Sequence, residues 1–383
     1  MERQSAPEDM TPKHPTPKHP GTEHPGTLAP YLAWAKTRRS PRFDLAGSNV
    51  LTCSVADLPG ASEALELSGR NDNGYEPLLQ AIAARYGVEP SQVTTAQGTA
   101  GANFLVCAAL LEPGDDVLVE APGYDPLLGA PRLLGASIVR FARTFEDGWA
   151  LDPGRVQAAM TSRTRLIIVT NPHNPTGTLA DVEALRAVGR VAEANGAHVL
   201  VDEVYLDASG SDASVAATLG DAFITTSSLT KSYGLAGLRS GWVLSSDAVA
   251  ERLRRARDLV DGTGPIVTER LSVLAFQHLD SLVRRTRRLL DTNTALVRDF
   301  LHCRPELEFV HPAGGTVVFP RIRGVENTDT FAARLMRERE TAVVPGRFFE
   351  TPAHMRIGFG GATDPLRGGL EAIAAALEQR AWA

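Results

Sequence analysis

The sequence predicts an α/β fold: a large domain with a mostly parallel sheet between helices, and a smaller α+β domain after it. Three observations carry this expectation. Between residues 99 and 245, short apolar runs alternate with helical stretches, the pattern of a parallel sheet covered on both faces. Polar residues with chemical potential fall at the carboxyl ends of those runs, where the ligands of such sheets gather. After Asp261-Gly262-Thr263-Gly264-Pro265 the alternation gives way to a long helical stretch and a few short strands.

The 383 residues exceed one ordinary core and suit two domains. A net charge of −6 argues against a nucleic-acid or anionic-membrane surface, which needs a concentrated basic face. No apolar run approaches the roughly 18 residues of a membrane span, and the N-terminus lacks the apolar core of a secretory signal. Cys53, Cys107 and Cys303 lack the paired spacing of a zinc or redox motif, so no metal is expected and a reducing, cytoplasmic compartment is.

Residues 1–26 hold a five-residue near-repeat, Thr11-Pro-Lys-His-Pro15, Thr16-Pro-Lys-His-Pro20 and Gly21-Thr-Glu-His-Pro25. With almost no apolar side chains to offset its ordering entropy, this tail is expected to be disordered. Its three histidines read as part of a solvated low-complexity tail rather than a metal site. Residues 28–40 have the spacing of a short amphipathic helix, and 43–49 read as an extended approach to a loop. Pro77–Tyr86 is a helix with proline in its first turn and Gly87 after its end.

A helix at 99–111 then leads to apolar strands at 116–120 and 137–141. A helix near 153–160 precedes the strand 165–170, and a helix at 181–195 precedes the strand 198–202. Strands at 222–227 and 241–245 complete the alternation. Beyond it, 267–301 reads as one long helical stretch, 308–319 and 341–344 as strands, and 364–379 as a closing helix. The domain change falls near 262–266. The large domain is taken as 45–263, and the smaller one as 27–44 with 264–383.

Only four lysines occur, Lys13, Lys18, Lys36 and Lys231, so arginine supplies nearly every generic positive charge. Beyond residue 36, Lys231 stands alone, between small hydroxyl residues and a glycine-rich turn. A guanidinium stays protonated and is a poor nucleophile, so a lone lysine here is either a chance surface residue or a Schiff-base nucleophile. Gln97-Gly98-Thr99-Ala100-Gly101 opens a helix, and its small residues would let backbone amides approach a phosphate. Tyr124 follows a strand and either packs or stacks on a flat ring. Asn171-Pro-His-Asn174-Pro-Thr-Gly177 is a tight turn at a strand end, and Asp202-Glu-Val-Tyr205 ends another strand with a carboxylate that would need a cationic partner if buried.

In this order and spacing, Asn-Pro-x-Asn-Pro-Thr-Gly, Asp-Glu-x-Tyr, Ser-x-x-Lys, Gly-Leu-Arg and a late Arg-Ile-Gly resemble the class I/II aminotransferases over roughly residues 70–360. These are fold-type I pyridoxal-phosphate enzymes akin to aspartate aminotransferase. The resemblance implies that Lys231 holds pyridoxal 5'-phosphate as a Schiff base and moves a proton at the substrate's Cα. It implies that Asp202 pairs with the pyridine nitrogen, which makes the ring an electron sink. Tyr205 and Asn174 would address the ring's phenolic oxygen, and Tyr124 would stack on the ring. Gly98, Thr99, Ala100, Ser228 and Arg239 would hold the phosphate. Arg356 would clamp the substrate carboxylate as a bidentate fork; its plain alternative is a strand-edge arginine.

The implied activity is transfer of an amino group from an amino acid to a 2-oxo acid, in a homodimer. The runner-up on the same residues is a lyase, a decarboxylase, or a cyclising or oxidising enzyme of specialised amino-acid metabolism. A cofactor-sensing regulator is set aside, because the 26-residue tail is too short for a DNA-binding domain. Three departures stand out. Gly69 occupies the place of a family tyrosine that reaches the partner subunit's phosphate, leaving Tyr75, Asn71 or Arg70 as substitutes or no contact at all. No arginine stands at 262–267 for a side-chain carboxylate, which disfavours a dicarboxylic donor. The loop 46–53 lacks the usual Gly-x-Pro wording.

Overall fold

A computed structural model describes residues 29–210 and 214–380; the histidine-rich tail lies outside them. Seven strands form the central sheet, in the order Val93–Gln97, Ser240–Leu244, Phe223–Ser228, His198–Asp202, Thr164–Thr170, Asp116–Ala121 and Ser137–Ala142. Ser240–Leu244 runs antiparallel to both neighbours, and the other pairs are parallel. Buried Val, Ile and Leu fill both faces of the inner strands, as a doubly covered sheet requires. The cores on the two faces gather round Val106, Val117 and Leu200 on one side and Leu118, Ile167 and Val199 on the other.

The register decides what the sheet can do. Thr170 pairs with Asp202 and Asp202 with Thr226, so three carboxyl-end residues lie side by side. Asp181 caps the helix Val182–Ala194 by accepting from Glu183 and Ala184 amides, and Gly87 ends Glu76–Tyr86 in the left-handed region at φ 68°.

A separate core of Leu290, Val297, Phe331, Ile357 and Ile373 forms under the C-terminal helices, and Leu45 and Val50 pack into it. The helix Leu279–His302 serves both cores: Leu279 and Leu282 pack toward the large sheet, and Leu290 and Val297 toward the smaller core.

Several elements differ from expectation. The stretch 267–301 is two helices, Ile266–Gln277 and Leu279–His302, parted at His278. Residues 308–319 are not one strand, because Pro312-Ala313-Gly314-Gly315 interrupts them; Leu307–Glu308 and Val317–Val318 pair with different partners. Residues 341–344 likewise split into Thr341–Ala342 and Val344–Pro345. The edge strand Val93–Gln97, the helices Asp125–Leu133 and Asp247–Val260 and the strand Met355–Gly358 were not anticipated. Asp125–Leu133 hides behind two prolines, one of them in its first turn where a missing N–H costs nothing.

Candidate active site

At the carboxyl ends of the sheet lies a cavity of about 300 Å³. Thr99, Ala100, Tyr124, Asn174, Asp202, Tyr205, Ser228, Lys231 and Arg239 all line it. Residues from six segments thus converge because strand ends and helix starts meet there.

Asp202 is 6% exposed. Burial pushes its carboxyl up to about 6, although Asn103 Nδ2 at 2.8 Å, the Val204 amide at 3.2 Å and the charge of Lys231 all favour the anion. Among the described residues its hydrogen-bond partners are neutral, so the cavity holds a buried carboxylate that makes no ion pair. Asn103 was missed by sequence reasoning. It projects from the apolar helix Gly98–Leu110, and Thr226 Oγ1 fixes its amide by donating to Oδ1 at 2.6 Å. A lone amide in so apolar a helix is the signal that could have found it.

The Lys231 amine is lowered to about 8, chiefly by burial, with Arg356 and Arg239 adding to the effect and Tyr31 and Asp202 opposing it. Its Nζ donates to Ser48 Oγ at 3.0 Å and stands 5.7 Å from the Tyr205 ring centre. Tyr205 OH donates to the same Ser48 oxygen at 2.9 Å. Burial raises the phenols of both Tyr205 and Tyr124, so both are neutral donors at neutral pH. Ser48 carries no sequence signal; only folding brings it here.

One end of the cavity has the make-up of an anion cradle. The helix Gly98–Leu110 starts directly at the strand end, with Gly98 in the left-handed region at φ 71°. A Cβ at Gly98 would lie 2.4 Å from Arg239 Nη2, so a side chain there, already disfavoured by the positive φ, would push that guanidinium from the helix start. Gly98 therefore shapes the wall rather than lining it. Thr99 Oγ1 donates to Ser228 Oγ at 2.9 Å, and the buried Thr230 hydroxyl has no partner among the described residues.

Arg356 sits behind the opposite wall rather than in it, at 0% exposure. It donates to Asn174 Oδ1 at 2.8 Å, Tyr31 OH at 2.7 Å and the Ala46 carbonyl at 2.9 Å, while its Nε has no partner. Its guanidinium carbon lies 5.2 Å from the Tyr31 ring centre and 5.0 Å from that of Phe349. The strand-edge alternative fails: this is a fully buried guanidinium whose hydrogen-bond partners are all neutral. Tyr31, on the helix Pro30–Thr37, was also missed.

Below the site, Glu120 accepts from the Thr170 amide at 2.6 Å and its hydroxyl at 2.7 Å, and pairs with Arg143 at 2.9 Å. Burial keeps His173 neutral, so Nε2 donates to the Pro122 carbonyl at 2.9 Å and Nδ1 accepts from Thr176 Oγ1 at 2.8 Å. This network stiffens the turn that presents Asn174. Of the three substitutes considered for Gly69, Asn71 is committed within its own chain: it donates to Gly264 O at 2.6 Å and Glu269 Oε2 at 2.8 Å. Arg70 is exposed and paired with Asp72, and Tyr75 is half-buried.

The family model for aminotransferase class I and II matches residues 57–373. The chain belongs to that family. Capreomycidine synthase from Streptomyces vinaceus is 31% identical over 366 residues, 90% of this chain and 92% of that protein. A PLP-dependent aminotransferase from Streptococcus suis superposes with a TM-score of 0.85 at 28% identity, covering 91% of this chain and 97% of that one. The PLP-dependent cyclase OrfR superposes with a TM-score of 0.83 at 25% identity, covering 95% and 100%. The fold is that of the fold-type I aminotransferases, and pyridoxal 5'-phosphate is the cofactor of this aminotransferase family member. The cavity fits it: a helix start with Arg239 and an unpartnered Thr230 hydroxyl beside it, a buried carboxylate and a deprotonable amine meet at one cavity. Among the described residues no helix is long and apolar enough to cross a membrane.

Proposed function

We propose that this enzyme transfers the amino group of an amino acid to a 2-oxo acid, with Lys231 as the covalent anchor and proton carrier. The observation that carries the reading is the pairing, in one cavity, of a lysine amine lowered to about 8 with a buried carboxylate raised to about 6. An amine near 8 is deprotonated in a useful fraction at neutral pH and can both take and return a proton. A buried carboxylate whose hydrogen-bond partners are neutral is a socket for a cation, which a protonated pyridine ring supplies.

Pyridoxal phosphate supplies an aldehyde and an electron-withdrawing ring. Thr99, the Ala100 amide, Ser228 and Arg239 would hold its phosphate. Asp202 would keep the ring nitrogen protonated, and Tyr124 would pack against the ring. Asn174 would donate toward the phenolic oxygen through Nδ2, its Oδ1 being taken by Arg356, and Tyr205, whose O–H is given to Ser48 in the cofactor-free protein, would face the same oxygen. Arg356 would receive the substrate carboxylate by exchanging its contacts with Asn174 and Tyr31 for it, because the guanidinium lies fully buried behind the cavity wall. Lys231 Nζ takes the proton from the substrate's Cα and returns it elsewhere on the same face.

A second reading is favoured by a specific observation: the similarity to a capreomycidine synthase and to a PLP-dependent cyclase. The same residues would then lead the deprotonated amino acid to ring closure instead of amino transfer. Titrating purified protein and Lys231→Ala with amino acids one at a time, with absorbance and mass spectrometry as readouts, separates the two. Release of a 2-oxo acid matching the added amino acid supports transamination; an isomeric or dehydrated cyclic product supports the second reading. No cofactor absorbance after reconstitution would sink both.

A homodimer is proposed as well. Val55, Leu65, Leu67 and Leu259 are exposed apolar side chains on two stretches of the large unit, at 67%, 59%, 87% and 90% exposure. Light scattering on a sizing column that returned a monomer mass would reject it.

A further inference from the structure

Ser48 lines the cavity at 6% exposure and belongs to no motif. A serine hydroxyl offers two acceptor lone pairs and one donor. Both lone pairs are taken here, one by Tyr205 OH at 2.9 Å and one by Lys231 Nζ at 3.0 Å. The oxygen therefore bridges the amine and the phenol, and its own O–H is left without an acceptor among the described residues.

The backbone around Ser48 is tied to the lysine loop and to the arginine strand. The Val50 amide donates to the Lys231 carbonyl at 3.1 Å, and the Cys53 amide to the Gly234 carbonyl at 2.8 Å. On the other side, Gly358 N donates to Leu45 O at 2.7 Å, and Thr316 Oγ1 to Ser48 O at 2.8 Å. A Cβ at Gly234 would lie 2.4 Å from Leu51 O, so the two segments run too close for a side chain between them. The segment 45–53 is thus tied at four points, one of them the Ser48 carbonyl, and backbone packing sets where Ser48 stands.

We propose that Ser48 is the positioning residue of Lys231, its oxygen fixing the amine and the Tyr205 phenol at one point on the cavity wall. Acceptance from an N–H favours the charged amine, so Ser48 also counters the burial of Lys231. The other groups that bear on the amine are Tyr31, Arg356, Asp202 and Arg239. The proposal rests on the reading of Lys231 as the proton carrier.

The test uses the whole chain, freed of cofactor and then reloaded. Reductive methylation with formaldehyde and cyanoborohydride, from pH 6 to 11, reports the amine's titration by peptide mass spectrometry, with the exposed Lys36 as internal reference. Half-maximal labelling of Lys231 is expected near pH 8 in the natural protein. In Ser48→Ala it moves down by about one pH unit, the effect of losing one hydrogen bond from a charged donor. Ser48→Thr keeps a hydroxyl and restores the natural midpoint. In the reloaded enzyme, Ser48→Ala lowers kcat about tenfold or more while KM changes less than about threefold. A Lys231 midpoint unmoved in Ser48→Ala overturns the proposal, and so does a Ser48→Thr protein that behaves like the alanine variant. The methylation experiment needs no cofactor. Natural protein that takes up none, with the shift still present, would sink the functional reading and leave Ser48's hold on the amine standing.

Discussion

Replacing Asp202 with asparagine separates the site from the fold with opposite expectations for each. Asp202 Oδ2 accepts from Asn103 Nδ2 and Oδ1 from the Val204 amide, and Thr226 locks Asn103 against flipping. An asparagine offers one acceptor and one donor to two fixed donors, so one contact becomes N–H against N–H, at a cost of about 1–3 kcal/mol. The opposing effect comes from linkage. The folded protein holds Asp202's proton up to about pH 6, whereas the unfolded chain releases it near 3.8. Between those values the folded state binds more protons, so cofactor-free stability falls as pH rises and stays lowered above pH 6, by about 3 kcal/mol. The neutral amide removes that loss. The two effects nearly cancel, and cofactor-free Asp202→Asn at pH 8 is expected within about 2 kcal/mol of the natural protein. Cofactor binding has no such cancellation. Losing one partner of a buried charge pair costs about 2–5 kcal/mol, or about 30- to 5,000-fold in affinity. Urea unfolding of the cofactor-free proteins and absorbance titration with pyridoxal phosphate measure both quantities. Unchanged cofactor affinity in a folded Asp202→Asn protein would refute the assignment of Asp202 to the ring nitrogen.

Three further outcomes are expected. Gly98→Ala forces a side chain into the left-handed region and against Arg239, so cofactor should dissociate about tenfold or more faster from a protein destabilised by about 1–3 kcal/mol; stopped-flow absorbance and a thermal melt check each part. Arg356→Lys loses the planar fork, and amino-acid affinity should fall by about 30-fold or more, whereas the corresponding amine without a carboxylate should bind as before; parallel absorbance titrations decide it. Arg143→Met strands Glu120, itself 1% exposed, and should cost about 3–5 kcal/mol at pH 8. Glu120 already titrates above the usual carboxylate range, and without Arg143 it takes up a proton more readily, so urea unfolding should show a smaller loss at pH 5.

Much of this protein was legible in its sequence because the signals are local. Continuous apolar strands such as Leu166–Val169 and Val199–Val201 suit a sheet buried on both faces, and the helix between them, Val182–Ala194, carries its own cap in Asp181. Lys231 was conspicuous because it is the one lysine beyond residue 36 in a chain that otherwise uses arginine there for positive charge. Motif spacing then brought Asp202, Asn174, Tyr205 and Arg239 into one cavity.

Tertiary structure decided the rest, for reasons that no window of neighbouring residues contains. Asn103 matters because strand register sets Thr226 beside Asp202, and the amide spans from one to the other. Arg356 reads as an ordinary arginine until Phe349, Tyr31 and Asn174 enclose it, each from a different part of the chain. Ser48 stands 183 positions from Lys231, and its place at the amine follows from two backbone segments that approach too closely at Gly234 to admit a side chain. Sequence determined which groups the chain owns and which strand ends carry them; burial and register, which are properties of the packed whole, determined what charge each group bears and what it touches.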